Sequence, residues 1–229
     1  MIDNRPILFF DSGIGGLTTL LECVKFLPNE HYFYFADESN MPYGDKPIEF
    51  LRRNFNLTME KLIEENGPKM VVVACNTMTA LSLSDVRKKY PEIGFVGTEP
   101  AVVPAIKSSK NPLLLCTQNT ALYSKVVLLC KKYHKIECVC PKDFASLIEN
   151  NFDNLENLKP YLTKLLLPYE NRIDCVVLGC THYIFCKGLI KEIVGESVEV
   201  LDGNKGISNR VKSCLEFFDN FGTFGGVRF

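Results

Sequence analysis

The fold is indicated most directly by residues 7–17, which read ILFFDSGIGGL. The apolar run from Ile7 to Phe10 has the length and composition of a buried strand. Segment 13–16 is rich in glycine and predicts a turn. Apolar residues then recur at helical spacing from Leu17 until Pro28 ends the pattern. A strand, a turn and a helix in this order form the first part of a β–α–β unit.

The same alternation continues along the chain, with short apolar segments separated by amphipathic ones. Further strands are predicted at 32–36, 71–74, 95–96, 113–115, 136–139 and 175–178. Further helices are predicted at 50–66, 122–132 and 158–167. Short apolar strands that alternate with helices predict an α/β fold with mainly parallel sheets flanked by helices.

Two segments of the chain resemble each other. Residues 71–77 read VVVACNT and residues 176–182 read VVLGCTH, so each is a buried strand that ends in a cysteine. The polar residues that follow, Asn76, Thr77 and Thr181, are of the types that cap helices. The similarity predicts two similar lobes that each contribute one cysteine to a shared cleft. Chance similarity between two buried strands is the alternative.

The ends of the predicted strands carry the residues best suited to chemistry. Ligands of open α/β sheets bind beyond the carboxyl ends of the strands, where Asp11, Ser12, Cys75 and Cys180 fall. A cysteine at a helix start is favoured as thiolate by the helix dipole. A single cysteine at a strand end is more often structural, but two facing thiols suit one reaction in particular. One thiolate removes a proton from a carbon and the other thiol returns a proton to the opposite face, which is two-base racemisation.

Five short motifs occur in order along almost the whole chain, at residues 11–17, 42–44, 74–77, 99–100 and 178–183. Together they resemble the successive motifs of glutamate racemases. The resemblance implies two α/β lobes with the active site between them, and interconversion of L- and D-glutamate without pyridoxal phosphate, metal or any other cofactor. It also implies that D-glutamate is supplied to bacterial peptidoglycan.

The resemblance implies roles for individual residues. The implied catalytic set is Cys75, Cys180, Asp11, His182 and Glu149. The implied substrate-binding set is Ser12, Tyr43, Gly44, Asn76, Thr77, Thr117, Thr120 and Thr181. For Glu149 a solvated helix residue is the alternative, because segment 141–148 departs from the family's pattern. For each threonine a capping role is the alternative.

Three further departures from the family's pattern concern the substrate. They are Asn40 in place of an arginine, Tyr123 interrupting the usual polar pattern after Thr120, and Ile184 in place of a proline. They leave open a racemase of aspartate or another acidic amino acid, and a binding protein without turnover. The motifs at 11–13 and 42–44 favour glutamate.

Composition limits the partners. The chain has 229 residues, with 26 Lys and Arg against 27 Asp and Glu, and no basic run that would follow a nucleic acid. No apolar stretch reaches the roughly 20 residues of a membrane span, and no signal peptide is evident. We expect a soluble cytoplasmic protein whose ten cysteines are mostly reduced, with a small-molecule substrate, no nucleic acid and no membrane as partner. The family resemblance adds a homodimer as an expectation.

Two competing sites carry less weight. The glycines at 13–16 resemble a nucleotide-binding turn, but they do not complete the dinucleotide pattern and no Walker lysine follows. Residues Cys130, His134, Cys138 and Cys140 resemble a metal-ligand set. The spacing of Cys138 and Cys140 is unusual for structural zinc, and the helix of Cys130 need not face them. We therefore predict no metal site.

The division into lobes follows the family. We expect a first lobe from residues 1–98 plus 206–229 and a second lobe from residues 99–205. Residues 225–229 resemble the beginning of a strand after which relatives continue, so we expect exposed apolar surface near them.

Overall fold

The computed structural model describes residues 3–44, 46–133, 135–218, 220–223 and 225–229. Its strands are β1 (Ile7–Asp11), β2 (His31–Ala36), β3 (Met70–Val73), β4 (Gly94–Gly97), β5 (Pro112–Cys116), β6 (Glu137–Val139), β7 (Cys175–Gly179), β8 (Glu199–Leu201) and β9 (Gly226–Arg228). Its helices are α1 (Leu17–Phe26), α2 (Ile48–Asn66), α3 (Asn76–Lys89), α4 (Val102–Ser108), α5 (Gln118–Tyr123), α6 (Lys125–Lys132), α7 (Phe144–Asn150), α8 (Lys159–Leu166), α9 (Lys187–Val194) and α10 (Asn204–Phe218).

The strands form two separate sheets. The first has the order β4-β3-β1-β2-β9 and the second has the order β6-β5-β7-β8. Every strand pairing is parallel; Ile7, for example, lies opposite Tyr32 on one side and Met70 on the other. The predicted fold class, with parallel sheets flanked by helices in two lobes, is confirmed. We call the first sheet with α1, α2, α3 and α10 the first lobe, and the second sheet with α4–α9 the second lobe.

Burial explains why the central strands are apolar throughout. All residues of β1, β3, β5 and β7 are buried, because helices cover both faces of each sheet. In the first lobe α2 buries Leu51, Phe55, Met59 and Leu62, which lie on one stripe of the helix. On the other face α1 and α10 pack against the sheet.

The predicted helix 122–132 is wrong in one respect, since it is two helices. Thr117 accepts a hydrogen bond from the backbone N–H of Thr120 and starts α5, while Ser124 accepts one from Val127 and starts α6. Two capping residues seven positions apart therefore break the segment at Ser124.

The chain returns to the first lobe after the second is complete. Helix α10 packs against α1 and β4, and β9 pairs with β2, so the strand predicted near residues 225–229 is present. The side chains of Phe217 and Phe229 are 83% and 77% exposed. The predicted boundaries at 98/99 and 205/206 stay a prediction. Within the described residues no helix combines the length and apolar character needed to cross a membrane.

Candidate active site

The two cysteines predicted to share a cleft line one cavity between the lobes. Strand β3 leads through Ala74 to Cys75, which precedes α3, and β7 leads directly to Cys180. The cavity is narrow, with a volume of about 30 Å³. Ten of the predicted site residues line it: Ser12, Tyr43, Gly44, Cys75, Asn76, Thr77, Thr117, Cys180, Thr181 and His182.

Three predicted site residues lie behind the cavity wall. Asp11 and Thr120 are completely buried, and Glu149 lies behind His182. The cavity also has lining residues that sequence reasoning did not assign: Met41, Pro42, Pro141, Asp143, Phe144, Ala145 and Tyr183. Pro42 and Tyr183 fall inside the quoted motifs, and the others follow strand ends, which is the one signal that could have found them.

Asp11 connects the lobes from beneath the cavity. Its Oδ2 accepts hydrogen bonds from the backbone N–H of Gly16 at 2.6 Å and from the hydroxyl of Thr181 at 3.2 Å. Its Oδ1 is buried and has no hydrogen-bond partner among the described residues. Burial raises the pKa of the Asp11 carboxyl, and the positive charge of His182 works in the opposite direction.

Cys75 is held in an environment that favours the thiol. Its Sγ donates towards Oγ of Ser12 at 3.9 Å. Burial raises the pKa of the Cys75 thiol, and the nearby charge of Asp11 raises it further. Cys75 therefore carries its proton at neutral pH in this closed arrangement.

Cys180 has the opposite kind of neighbour. Its Sγ lies 3.9 Å from Nδ1 of His182, and Nε2 of the same ring lies 2.5 Å from Oε1 of Glu149. Burial alone would lower the pKa of His182, but its hydrogen bonds with Cys180 and Glu149 raise that pKa to about 10. The ring is thus an imidazolium at neutral pH, and it places a positive charge beside the Cys180 sulfur.

Glu149 supports that charge. Its Oε1 also accepts a hydrogen bond from the backbone N–H of Ile14 at 3.1 Å. Burial works to raise the pKa of Glu149, but the hydrogen bonds from His182 and Ile14 outweigh it, so the pKa is lowered. Glu149 is therefore not the solvated helix residue of the alternative interpretation.

The glycine-rich turn allows the lobes to approach closely. A Cβ on Gly15 would lie 2.5 Å from Oγ1 of Thr181 and 2.6 Å from the backbone N of His182. A Cβ on Gly13 would lie 2.2 Å from Oε1 of Glu149. The glycines of the turn thus leave room for second-lobe residues. This role explains the glycines without a bound nucleotide.

The polar residues after the two cysteines do not cap helices as predicted. The capping position of α3 is Cys75 itself, and the side chain of Thr181 makes no cap because it donates to Asp11. Asn76 and Thr77 lie in the first turn of α3 and face the cavity. Thr117 does cap α5 while also lining the cavity. Its Oγ1 lies 3.0 Å from Oγ1 of Thr77, within hydrogen-bond distance.

The cavity can hold an anion without a lysine or an arginine. No Lys or Arg appears among its described lining residues. The backbone N–H groups in the first turn of α3 have no acceptor within the helix, and this end of the helix carries the positive end of the dipole. The side-chain oxygen of Asn76 is buried and makes no hydrogen bond within the described part of the chain. It is free to accept one from a ligand, such as a substrate ammonium group.

The cysteines considered as metal ligands lie in an apolar cluster. Cys130, Cys138 and Cys140 pack in one apolar cluster with Cys116, so the helix of Cys130 does face the strand. His134 lies outside the described residues. Among the residues that are described, no group of three or more His, Cys, Asp or Glu is suited to hold a metal ion.

Comparison with known proteins agrees with the geometry. The glutamate racemase of Clostridium perfringens (strain SM101 / Type A) is 40% identical over 223 residues, which cover 94% of this chain and 85% of that protein. The chain belongs to the glutamate racemase family. The predicted enzyme class, an amino-acid racemase, is thereby confirmed. No protein-family model matches the chain.

Solved glutamate racemases share the fold. Isoform RacE1 from Bacillus anthracis gives a TM-score of 0.85 at 27% identity, covering 99% of this chain and 88% of that one. The Escherichia coli glutamate racemase, solved with L-glutamate and an activator, gives 0.83 at 29% identity, covering 93% and 83%. A Pyrococcus horikoshii aspartate racemase homologue gives 0.51 at 18% identity and shows the fold alone.

Proposed function

We propose that this chain interconverts L- and D-glutamate by a two-base mechanism in which Cys75 and Cys180 exchange protons with the α-carbon. The observation that carries the proposal is the cysteine pair, with one thiol from each lobe lining a single narrow cavity. The 40% identical Clostridium relative, named a glutamate racemase, supports the substrate.

The two environments support different starting roles for the two thiols. His182 stabilises negative charge on Cys180, while burial and Asp11 keep Cys75 protonated. With L-glutamate bound, the Cys180 thiolate removes the α-proton, and the electron pair moves onto the α-carboxylate. The S–H bond of Cys75 then breaks as its proton forms the new C–H bond on the opposite face. D-glutamate leaves, and exchange with solvent removes the proton from Cys180 and returns one to Cys75, which restores the enzyme.

The residues around the thiols support proton transfer and substrate binding. His182 and Glu149 assist Cys180, and Asp11 assists Cys75. The start of α3 is the proposed site for a substrate carboxylate, and the unpartnered oxygen of Asn76 is the proposed acceptor for the ammonium group. We propose that the remaining predicted binding residues in the cavity contact the other end of glutamate: Ser12, Tyr43, Gly44, Thr77, Thr117 and Thr181. Thr120 bonds to Thr117 from behind, so its proposed role is support of that residue.

The product suggests the cellular role. D-glutamate is a component of bacterial peptidoglycan, so we propose that the enzyme supplies it for cell-wall synthesis. We place the reaction in the cytoplasm, where catalytic thiols stay reduced. A homodimer stays a prediction.

Single replacement of the thiols tests the mechanism. Cys75→Ala and Cys180→Ala each remove one proton carrier, so racemisation should fall at least about 10²–10⁴-fold in both directions. Cys214→Ala, on α10 and away from the cavity, is the control and should keep near-parental activity. In deuterated water the parent enzyme should place deuterium mainly on the α-carbon of the product enantiomer.

Optical rotation with D-glutamate and D-aspartate measured side by side decides the substrate. Faster turnover of aspartate would show that aspartate, not glutamate, is the preferred substrate. The two-thiol mechanism would be unaffected by that result. A folded Cys75→Ala or Cys180→Ala variant with near-parental racemase activity would overturn the two-thiol mechanism.

A further inference from the structure

One wall of the cavity is formed by first-lobe residues that are hydrogen-bonded to the second lobe. Tyr43 and Gly44 line the cavity, and they lie in the connection between β2 and α2. Asn119 of α5 reaches them from the second lobe. Its backbone N–H donates to the carbonyl of Gly44 at 3.3 Å, and its Nδ2 donates to the carbonyls of Tyr43 at 3.2 Å and Lys46 at 3.3 Å. One residue thus makes three hydrogen bonds across the lobes.

These bonds are shielded from water. Asn119 is 7% exposed, so its amide has lost most of its solvent and depends on these carbonyls for partners. Close by, Gly44 lies against Thr117, since a Cβ on Gly44 would be 3.1 Å from Cβ and Cγ2 of that threonine. The start of α5 therefore supports the backbone at Gly44 through both packing and hydrogen bonds.

Inside its own lobe the same wall is held by a side chain. The hydroxyl of Tyr43 donates to the carboxylate of Asp37, which also accepts from Nδ2 of Asn54 at 2.6 Å and from Nδ2 of Asn40 at 2.9 Å. The carbonyls of Tyr43 and Lys46, in contrast, take their bonds from Asn119. If the lobes separate, the Tyr43 ring stays anchored while the backbone beside it loses its cross-lobe donors.

We propose that Asn119 is a positioning residue that couples closure of the lobes to formation of the Tyr43–Gly44 wall of the cavity. The inference rests on the proposed function, because the wall matters only if a substrate binds there. If the wall is formed in only a fraction of the molecules, the apparent affinity for the substrate is the intrinsic affinity multiplied by that fraction. Loss of the Asn119 amide should therefore weaken binding more than it slows chemistry, because Asp11, Glu149 and Thr77 still contact the opposite lobe.

Asn119→Ala removes both side-chain bonds without adding charge and leaves the backbone bond to Gly44 possible. We expect KM for glutamate to rise about tenfold, with kcat within about threefold of the parent. The value of kcat/KM should fall equally in both directions, because the two enantiomers have equal free energy in solution. Gln118→Ala, a similar truncation at the exposed neighbouring position, is the matched control and should leave both constants unchanged.

Hydrogen–deuterium exchange without substrate gives a readout that does not need activity. In Asn119→Ala the backbone amide of residue 119, which donates to the Gly44 carbonyl across the lobes, should exchange at least about tenfold faster, while the amides of β2 stay as in the parent. Equal acceleration in β2 would indicate general loosening and would overturn a positioning role. Unchanged exchange and unchanged KM in folded Asn119→Ala would overturn it as well.

Two further outcomes are separable. If Asn119→Ala does not fold, Asn119→Ser, which retains a small polar side chain but cannot span to both carbonyls, is measured in the same way with the same expectations. If the parent chain does not racemise glutamate, the proposed function fails, while the exchange measurement still decides whether Asn119 holds the wall.

Discussion

His182 lies between a thiol and a carboxylate, and its charge depends on both. The pKa of its ring is raised to about 10 from 6.5, whereas the pKa of Glu149 is lowered from 4.5. A raised histidine contributes stability that is complete below its unfolded pKa and is lost as the pH rises through the folded one. A lowered glutamate contributes stability above its unfolded pKa. The pair therefore stabilises the fold fully between about pH 4.5 and 6.5.

Glu149→Gln tests this pH dependence. The variant keeps a similar shape but removes the negative charge, so the parent should exceed it in free energy of unfolding by the largest margin near pH 5.5. The margin should shrink steadily between about pH 6.5 and 9.5, because His182 loses its proton in the unfolded chain while the folded protein keeps it. Urea unfolding at about pH 5.5, 7.5 and 9.5 measures it. A margin that grows with pH would contradict the charge assignment.

Gly15→Ala tests the close approach of the glycine-rich turn to the second lobe. The added Cβ would collide with Thr181 and the His182 backbone, so we expect destabilisation of about 1–3 kcal/mol. Displacement of these residues from the thiols should reduce turnover about 10²-fold. Gly188→Ala, in α9 with open space around it, should instead stabilise by about 0.5–1 kcal/mol and keep activity. Parental turnover in Gly15→Ala would show that the turn tolerates a side chain.

At the scale of elements, the sequence predicted the strands best. The central strands β1, β3 and β7 are continuous apolar runs because helices cover both faces, and such runs are visible without any structure. Helix α10 was not predicted, although Ile207, Val211 and Leu215 recur at helical spacing. Ile207 and Val211 are the only large apolar residues from 204 to 213, which gives a weak signal, and burial of that face depends on contact with the distant α1.

The candidate site was predicted where its residues follow strand ends and missed where it depends on contacts between distant segments. Cys75 and Cys180 could be found because each ends an apolar strand. Asn119 could not, since its partners Tyr43 and Lys46 are more than 70 positions earlier in the chain. Asp143 was missed as well: its place after a strand end was the one signal, and a single aspartate does not reveal the left-handed backbone, with φ of 55°, that begins α7 there.

Ser124 gives the break between α5 and α6 a testable role. Its Oγ accepts from the backbone N–H of Val127 and donates to Oε2 of Glu99 at 2.7 Å. Ser124→Ala should lower the free energy of unfolding by about 1–2 kcal/mol, through the lost cap and the lost partner of a half-buried carboxylate. Turnover should stay near the parent value. Urea unfolding beside Ser84→Ala, an exposed control, measures the difference; equal stability of the two variants would contradict the role.

At the scale of the whole molecule, a buried ion pair joins segments that are far apart in the chain. Nζ of Lys69 lies 2.6 Å from Oε2 of Glu30, and both side chains are almost completely buried. Lys69 also donates to the carbonyl of Asp3, and Oε1 of Glu30 accepts from the backbone N–H of Gly222. The pair therefore connects both ends of the described chain to the start of the first sheet.

Lys69→Met should be strongly destabilising because it leaves the Glu30 carboxylate buried without its cation, at a cost of about 3–5 kcal/mol. The double variant Lys69→Met/Glu30→Gln removes both charges and keeps an acceptor for Gly222, so it should recover most of that loss. Denaturant unfolding of parent, single and double variants forms the comparison. A double variant as unstable as Lys69→Met would show that the charges themselves are not the cause.

The return of α10 and β9 to the first sheet has a consequence for how the protein is made. A ribosome that adds about 5–20 residues per second delivers the whole second sheet before α10 emerges. Until then Leu20, Met70 and Val96, which later pack with Ile207, Val211 and Leu215, lack their cover. The second lobe, whose chain is continuous, can thus fold completely first. The first lobe keeps an exposed apolar face until α10 has been synthesised. Newly made chains are most exposed to aggregation, and most in need of a chaperone, during that interval.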